Sequence, residues 1–117
     1  METPIDVLGL GCLAVDELLL LPRWPEPDTK VRLAGRDKQG GGLTGNALVA
    51  VARYGARASY AGPLGDDPDS RFLRELFARE GVDLSHAANL PGARPIRSTI
   101  LIDQELIDRQ DALEIAP

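Results

Sequence analysis

The sequence predicts an α/β fold, a parallel sheet with helices and a small β flap, on three observations. Short runs rich in branched aliphatics and bounded by glycine, residues 5–10 and 56–61, read as core strands. Two helical stretches, residues 46–54 and a second opening at Asp67, interleave with them, which is the pattern of βαβ units and of parallel pairing. Residues 15–39 fall outside that alternation. Pro22, Pro25 and Pro27 stop any regular helix there, so the stretch reads as strands leaving the main sheet.

Element by element, Ile5-Asp6-Val7-Leu8-Gly9-Leu10 has the composition of a buried strand. Residues 14–21 are apolar apart from Asp16 and Glu17. Thr29, Val31 and Leu33 alternate with Lys30 and Arg32, which predicts a half-exposed strand. The cluster Gly40-Gly41-Gly42 then feeds a helix from about Asn46 to Tyr54. That helix is apolar nearly all round, as a central helix would be, and Gly55 takes the C′ role. Asp67 as N-cap and Pro68 at the first helical position open the second helix. Its inner face is Phe72, Leu73, Leu76 and Phe77; Glu75 and Arg79 stand outside at the supportive i,i+4 spacing, and Gly81 ends it. Residues 96–103 are a third extended stretch and a candidate partner for the flap strands. The tail, residues 106–117, mixes polar and apolar residues without a closing element.

Composition bounds the function. The 117 residues fit one compact domain, with 44% hydrophobic and 26% charged residues. Acidic residues outnumber basic ones by 18 to 13, a net charge of −5, and no basic stripe exists to displace counterions from phosphates; nucleic acid is not the expected partner. The single Cys12 cannot form an internal disulfide, which fits a reducing compartment. No apolar stretch approaches membrane-spanning length, and Met1-Glu2-Thr3-Pro4 is not the basic start of a signal peptide. The expectation is a soluble, cytoplasmic chain.

Candidate chemistry narrows quickly. Gly9-Leu10-Gly11-Cys12-Leu13-Ala14 matches the G-x-G-x-x-A dinucleotide fingerprint, with Asp28 farther on, but the helix it needs would run into the three prolines. The glycine cluster lacks the Gly-Lys-Ser/Thr ending of a phosphate-binding loop. One histidine, His86, and one cysteine supply no metal-ligand spacing and no nucleophile–base pair, and His86 beside Ser85 reads as a solvated surface residue.

What remains is a site for a polyol. Asp16 follows the first strand, where open α/β sheets take their ligands, and a carboxylate accepts two hydroxyl hydrogen bonds. Gly41 and Gly42 admit a ring close to the backbone, and the Asn46 amide both donates and accepts, which suits a vicinal diol. A glycine cluster running into a helix also brings free N–H groups and the positive end of the helix dipole to one point. The residues alone leave a second reading open, with Asp16 a surface acid of the flap and Asn46 an N-cap.

The order of these features resembles the amino-terminal third of the ribokinase-like (PfkB) carbohydrate kinases. The likeness runs through Leu8-Gly9-Leu10-Gly11-Cys12-Leu13-Ala14-Val15-Asp16, the proline-punctuated flap, and the glycine pair with Asn46. Gly55 then follows Asn46 by nine residues, and Gly65 follows by ten more, leading into Asp66-Asp67. It covers essentially the whole chain. The resemblance implies a Rossmann-like ribokinase fold, here in part, with a β lid, and phosphorylation of a sugar, nucleoside or related alcohol from ATP and Mg2+. It assigns the substrate hydroxyls to Asp16, Gly41, Gly42 and Asn46. It makes residues 15–39 and 96–110 the lid, which in this family can also clasp a second copy into a homodimer.

Departures from the pattern leave the substrate open. Ribokinase has an asparagine where this chain has Ala14 and a lysine where it has Leu43; Thr44, Leu48 and Ser70 also fall outside the strict signature. The family's Gly-x-Gly-Asp motif, which holds the catalytic base, does not occur among the 117 residues. The chain is therefore expected to carry no catalytic residue and no ATP or Mg2+ site of its own. It reads as the substrate-binding part of a kinase, inactive alone. The alternatives are a non-catalytic binding or lid-dimerisation module and a Rossmann dinucleotide domain, the last requiring a helix that begins near Gly11.

Overall fold

The computed structural model describes residues 4–108. The readings of Met1-Glu2-Thr3 and of residues 109–117 lie outside them. In chain order the elements are β1 (Val7–Gly9), β2 (Ala14–Leu21), β3 (Gly35–Gly41), α1 (Leu43–Arg53), β4 (Ala58–Tyr60), β5 (Pro63–Leu64), α2 (Pro68–Arg79), β6 (Ala88–Asn89) and β7 (Ile96–Asp103). Residues 104–108 are helical. The chain divides into two compact units, Met1–Asp16 with Gly40–Ser98, and Glu17–Gln39 with Thr99–Pro117. No helix of the described residues is long and apolar enough to cross a membrane.

In the first unit β1 and β4 pair in parallel, with Val7 opposite Ala58 and Gly9 opposite Tyr60. The segment after α2 extends this pairing: the Asp83 N–H donates to the Ala58 carbonyl and the Tyr60 N–H to the Asp83 carbonyl, each at 2.9 Å. β5 and β6 form a second short parallel pair. The core joins Leu13, Val15, Leu48, Ala58, Tyr60, Leu64, Leu73, Phe77 and Val82. Each large side chain so buried is worth about 1.5–3 kcal/mol relative to exposure.

α2 follows its punctuation. Asp67 is the N-cap, Pro68 opens the helix, Leu73 and Phe77 are buried, Phe72 and Leu76 pack against the core, and Gly81 turns away at φ +85°. The Asp67 carboxylate does not cap a backbone N–H; it accepts a hydrogen bond from the Ser70 hydroxyl, which itself accepts from the Gly65 N–H at 3.0 Å. Glu80, just past the helix, makes two hydrogen bonds with the Arg53 guanidinium, at 2.7 and 2.9 Å.

Two expectations of burial need correction. In β1, Val7 is 39% and Leu8 52% exposed, because β4 is its one strand partner among the described residues. In α1, only Gly45 and Leu48 are buried, while Ala47, Ala50 and Tyr54 face outward. An apolar residue is buried only where something packs on it.

The second unit holds most of the three-stranded sheet of order β3-β2-β7. Here the alternation of residues 29–33 misleads. Those residues are irregular, following a turn in which the Thr29 hydroxyl donates to the Glu26 carbonyl at 2.6 Å and Asp28 adopts φ +56°. The strand begins instead at Gly35, against Leu20, and runs through polar residues to Gly41. Within this unit Arg36 and Glu17 form an ion pair.

Candidate ligand-binding site

Gly41 ends β3, Gly42 is the N-cap of α1, and Asp16 is the third residue of β2. Asp16 thus lies in the strand that follows β1. A Cβ on Gly41 would lie 2.6 Å from the Asp16 Oδ2. The carboxylate therefore occupies the space that any side chain at 41 would take. A Cβ on Gly42 would lie 2.8 Å from the Cys12 carbonyl oxygen and 3.1 Å from the Ala14 nitrogen, and Gly42 itself adopts φ +92°. Residues 12–14 cross so closely over Gly42 that only glycine fits.

The start of α1 is open. No side chain caps it and no acidic residue stands in its first turn. The first intrahelical bond is from the Asn46 N–H to the Gly42 carbonyl, 2.9 Å, so the N–H groups of residues 43–45 have no partner inside the helix. Asn46 is consequently not an N-cap; it lies within the first turn, with an exposed side chain. Asp16 is half-buried, and no described side chain or amide donates to its carboxylate. Asp16 and Gly41 are in contact, Gly42 adjoins them, and Asn46 stands one turn farther along α1. This places a carboxylate acceptor, free backbone donors and a helix dipole together, the groups a hydroxyl-rich ligand uses.

Two supporting residues escaped the sequence reading. The Thr44 hydroxyl donates to the Leu10 carbonyl at 3.3 Å, and its side chain lies against Gly9 and Gly11. Thr44 registers in sequence only as a departure from a signature. The Tyr60 hydroxyl lies 3.0 Å from the Gly11 carbonyl oxygen and 3.1 Å from that of Pro63. Burial, and then the charge of Cys12, push this phenol above its ordinary value of 10, so it stays a donor. Its only trace in sequence is an aromatic residue two places before Gly62.

Elsewhere, a cavity of about 750 Å3 opens at the amino ends of β1 and β4, lined in part by Ile5, Arg57, Asp83, Ser85 and His86. It lies at the opposite strand ends from Gly41 and Gly42. His86 is an exposed residue, as expected, and is also bonded locally: its Nδ1 is 3.1 Å from the Ser59 hydroxyl, 3.3 Å from Ser85 and 3.4 Å from Asp83. The Asp83 carboxylate is held below its ordinary range by the Ser85 N–H, the Ser85 hydroxyl and the Ser59 hydroxyl, in that order among its hydrogen bonds. Those partners engage both carboxylate oxygens, and the cluster ties a turn to β4. Among the described residues no group of three or more His, Cys, Asp or Glu side chains could hold a metal.

The dinucleotide alternative falls on local structure. Residues 11–13 are irregular and Ala14 opens a strand, so no helix begins near Gly11 to carry a pyrophosphate.

The family model described as pfkB family carbohydrate kinase matches residues 11–114. A nucleoside kinase of Methanothermobacter thermautotrophicus is 30% identical over 84 residues, covering 72% of this chain and 27% of that protein. A ribokinase of Haemophilus influenzae is 32% identical over 79 residues, 66% of this chain and 25% of that one. The crystal structure of ribokinase from Cryptococcus neoformans var. grubii serotype A, in complex with ADP, superposes with a TM-score of 0.66 at 26% identity, over 84% of this chain and 30% of that one. The chain thus spans about a quarter of the length of the curated relatives it matches.

Proposed function

The chain belongs to the pfkB family of carbohydrate kinases, and from that premise we propose that it is the substrate-binding portion of an ATP-dependent kinase acting on a sugar or nucleoside-like alcohol. The Asp16 carboxylate accepts from two substrate hydroxyls. Gly41 and Gly42 let the ring lie against the backbone and receive hydrogen bonds from the open start of α1. Asn46 bridges a neighbouring hydroxyl as donor and acceptor. Residues 15–39 and 96–110 are the lid segments of this reading.

One observation carries it: an unpartnered carboxylate lodged in the side-chain space of a glycine, beside an uncapped helix start. In the whole kinase, ATP with Mg2+ supplies the phosphoryl group that passes to a substrate hydroxyl. For this chain the proposal is binding without transfer, because the family's Gly-x-Gly-Asp motif, which holds the catalytic base, does not occur among its 117 residues.

Calorimetry with pentoses, hexoses and nucleosides tests the site. Weak binding is expected, with at least a tenfold loss on Asp16→Ala and a smaller one on Asn46→Ala, since a charge-assisted hydrogen bond is worth about 1.5–3 kcal/mol. Binding that both variants leave intact would remove the assignment.

A further inference from the structure

Tyr60 is the last residue of β4 and the largest fully buried side chain of the fold. Its ring belongs to the core, but its hydroxyl emerges at the carboxyl ends of β1 and β4, between two carbonyl oxygens. Those carbonyls belong to different loops. Gly11 lies in the connection from β1 to β2, which crosses Gly42 and delivers Asp16. Pro63 opens β5, directly ahead of the turn into α2. Gly62 leaves the space for this arrangement: a Cβ there would lie 2.2 Å from the phenol oxygen and 2.3 Å from the Gly11 oxygen. On its other flank the same connection is held by Thr44 through the Leu10 carbonyl.

We propose that Tyr60 is a positioning residue for the Asp16–Gly41–Gly42 site, its phenol latching the loop that sets the Asp16 carboxylate against Gly41. The proposal rests on the reading of that site as a polyol site. Residue 11 is joined to residue 60 across 49 positions by one hydroxyl, and Asp16 follows Gly11 by five residues, the last three of them in β2. A displaced Gly11 carbonyl moves Cys12, and Cys12 packs directly over Gly42. Phenylalanine would fill the core as well as tyrosine does, but would leave both carbonyls without this donor.

The test uses the 117-residue chain, Tyr60→Phe, and Val82→Ala as a control that loosens the same core without touching the loop. Amide hydrogen exchange is followed by mass spectrometry, and affinities for D-ribose, D-fructose and adenosine by calorimetry. Tyr60→Phe is expected to speed exchange in peptides covering residues 10–14, and to raise the dissociation constant, each by about tenfold, the equivalent of one hydrogen bond. Exchange within α2 should not change. Val82→Ala, compared at equal distance from its own melting temperature, should alter neither the loop nor the affinity. Unchanged loop exchange in Tyr60→Phe overturns the latch, and so does a Val82→Ala variant that reproduces the whole effect. If the wild-type chain binds none of the three alcohols, the polyol reading fails, and exchange at residues 10–14 still decides the latch.

Discussion

Gly41→Ala separates the site from the fold, because the new methyl group meets the carboxylate and little else. In the native geometry its Cβ would lie 2.6 Å from the Asp16 Oδ2, whereas ordinary contact begins near 3.4 Å. The carboxylate oxygen must therefore retreat by about 0.8 Å, most of the tolerance of a hydrogen bond. Forfeiting one charge-assisted bond of about 1.5–3 kcal/mol raises the dissociation constant roughly ten- to hundredfold. The folding cost is small: the displaced atom is the free end of an unpartnered side chain, and Gly41 is not among the residues with positive φ. Alanine also restricts the unfolded chain more than glycine does, by about 0.4–1 kcal/mol, so the melting temperature should hold or rise slightly. Calorimetry and thermal melts on Gly41→Ala, Asp16→Ala and the double variant measure this. Once Asp16 is alanine the methyl group at 41 has nothing to displace, so the double variant should bind like Asp16→Ala alone. Wild-type affinity in Gly41→Ala, or losses that simply add in the double variant, would refute the contact as the basis of recognition.

Ser70→Gly restores the residue that the family signature favours, yet it should destabilise this chain by about 2–3 kcal/mol. It removes the partner of the buried Gly65 N–H and places glycine inside a helix, which a urea titration would read as a lower midpoint. A midpoint at or above that of the wild type would show that the Ser70 bridge contributes nothing. Acid should weaken the fold through Asp67 and Asp83. The Ser70 hydroxyl holds the Asp67 carboxyl below its ordinary range, and the Ser85 N–H and hydroxyl do the same for Asp83. Their contribution is complete above the unfolded carboxylate pKa of about 3.9 and is lost as pH falls through the lower native values. Melting temperatures taken from pH 5 to pH 2 should fall less steeply in Asp67→Asn/Asp83→Asn than in the wild type; equal slopes would place the acid sensitivity elsewhere.

The parts of the fold that were legible in the sequence are those fixed by local chemistry. Asp67-Pro68 and Gly81 bound α2 because a proline without an N–H suits a first turn and a glycine accepts φ +85° after the last. β7 occupies Ile96–Asp103, the same residues its composition indicates. β3 was not legible, since Gly35–Gly41 holds one charged or polar run between glycines and no branched aliphatic residue. It is a strand because β2 offers it a ladder, and pairing overrides propensity. Exposure of Val7 and Leu8 was equally hidden, because burial depends on neighbours and not on residue type. At the site, Asp16 and the glycines could be picked out as chemistry. Their contact could not, since it spans 25 positions and depends on the absence of a side chain at Gly41.

The glycine cluster in fact serves two purposes that the sequence shows as one. A Cβ on Gly40 would meet Leu76, Leu73 and Phe77 at 3.1–3.3 Å, and one on Gly45 would meet Phe77 at 2.7 Å and Leu13 at 3.1 Å. Those two positions are small so that the inner face of α2 can pack beneath the start of α1. Gly41 and Gly42 are small toward the other side, where the Asp16 carboxylate and the Cys12–Ala14 backbone lie. Leu13 and Val15, buried on either side of Ala14, fix the backbone that leads to Asp16, while the carboxylate itself keeps no partner. A rigid frame with one unsatisfied group is what a binding site requires, since order in the backbone lowers the cost of association and the open acceptor supplies the gain. Enlarging Gly40 or Gly45 should therefore cost stability first and affinity only as a consequence, the reverse of what Gly41 predicts.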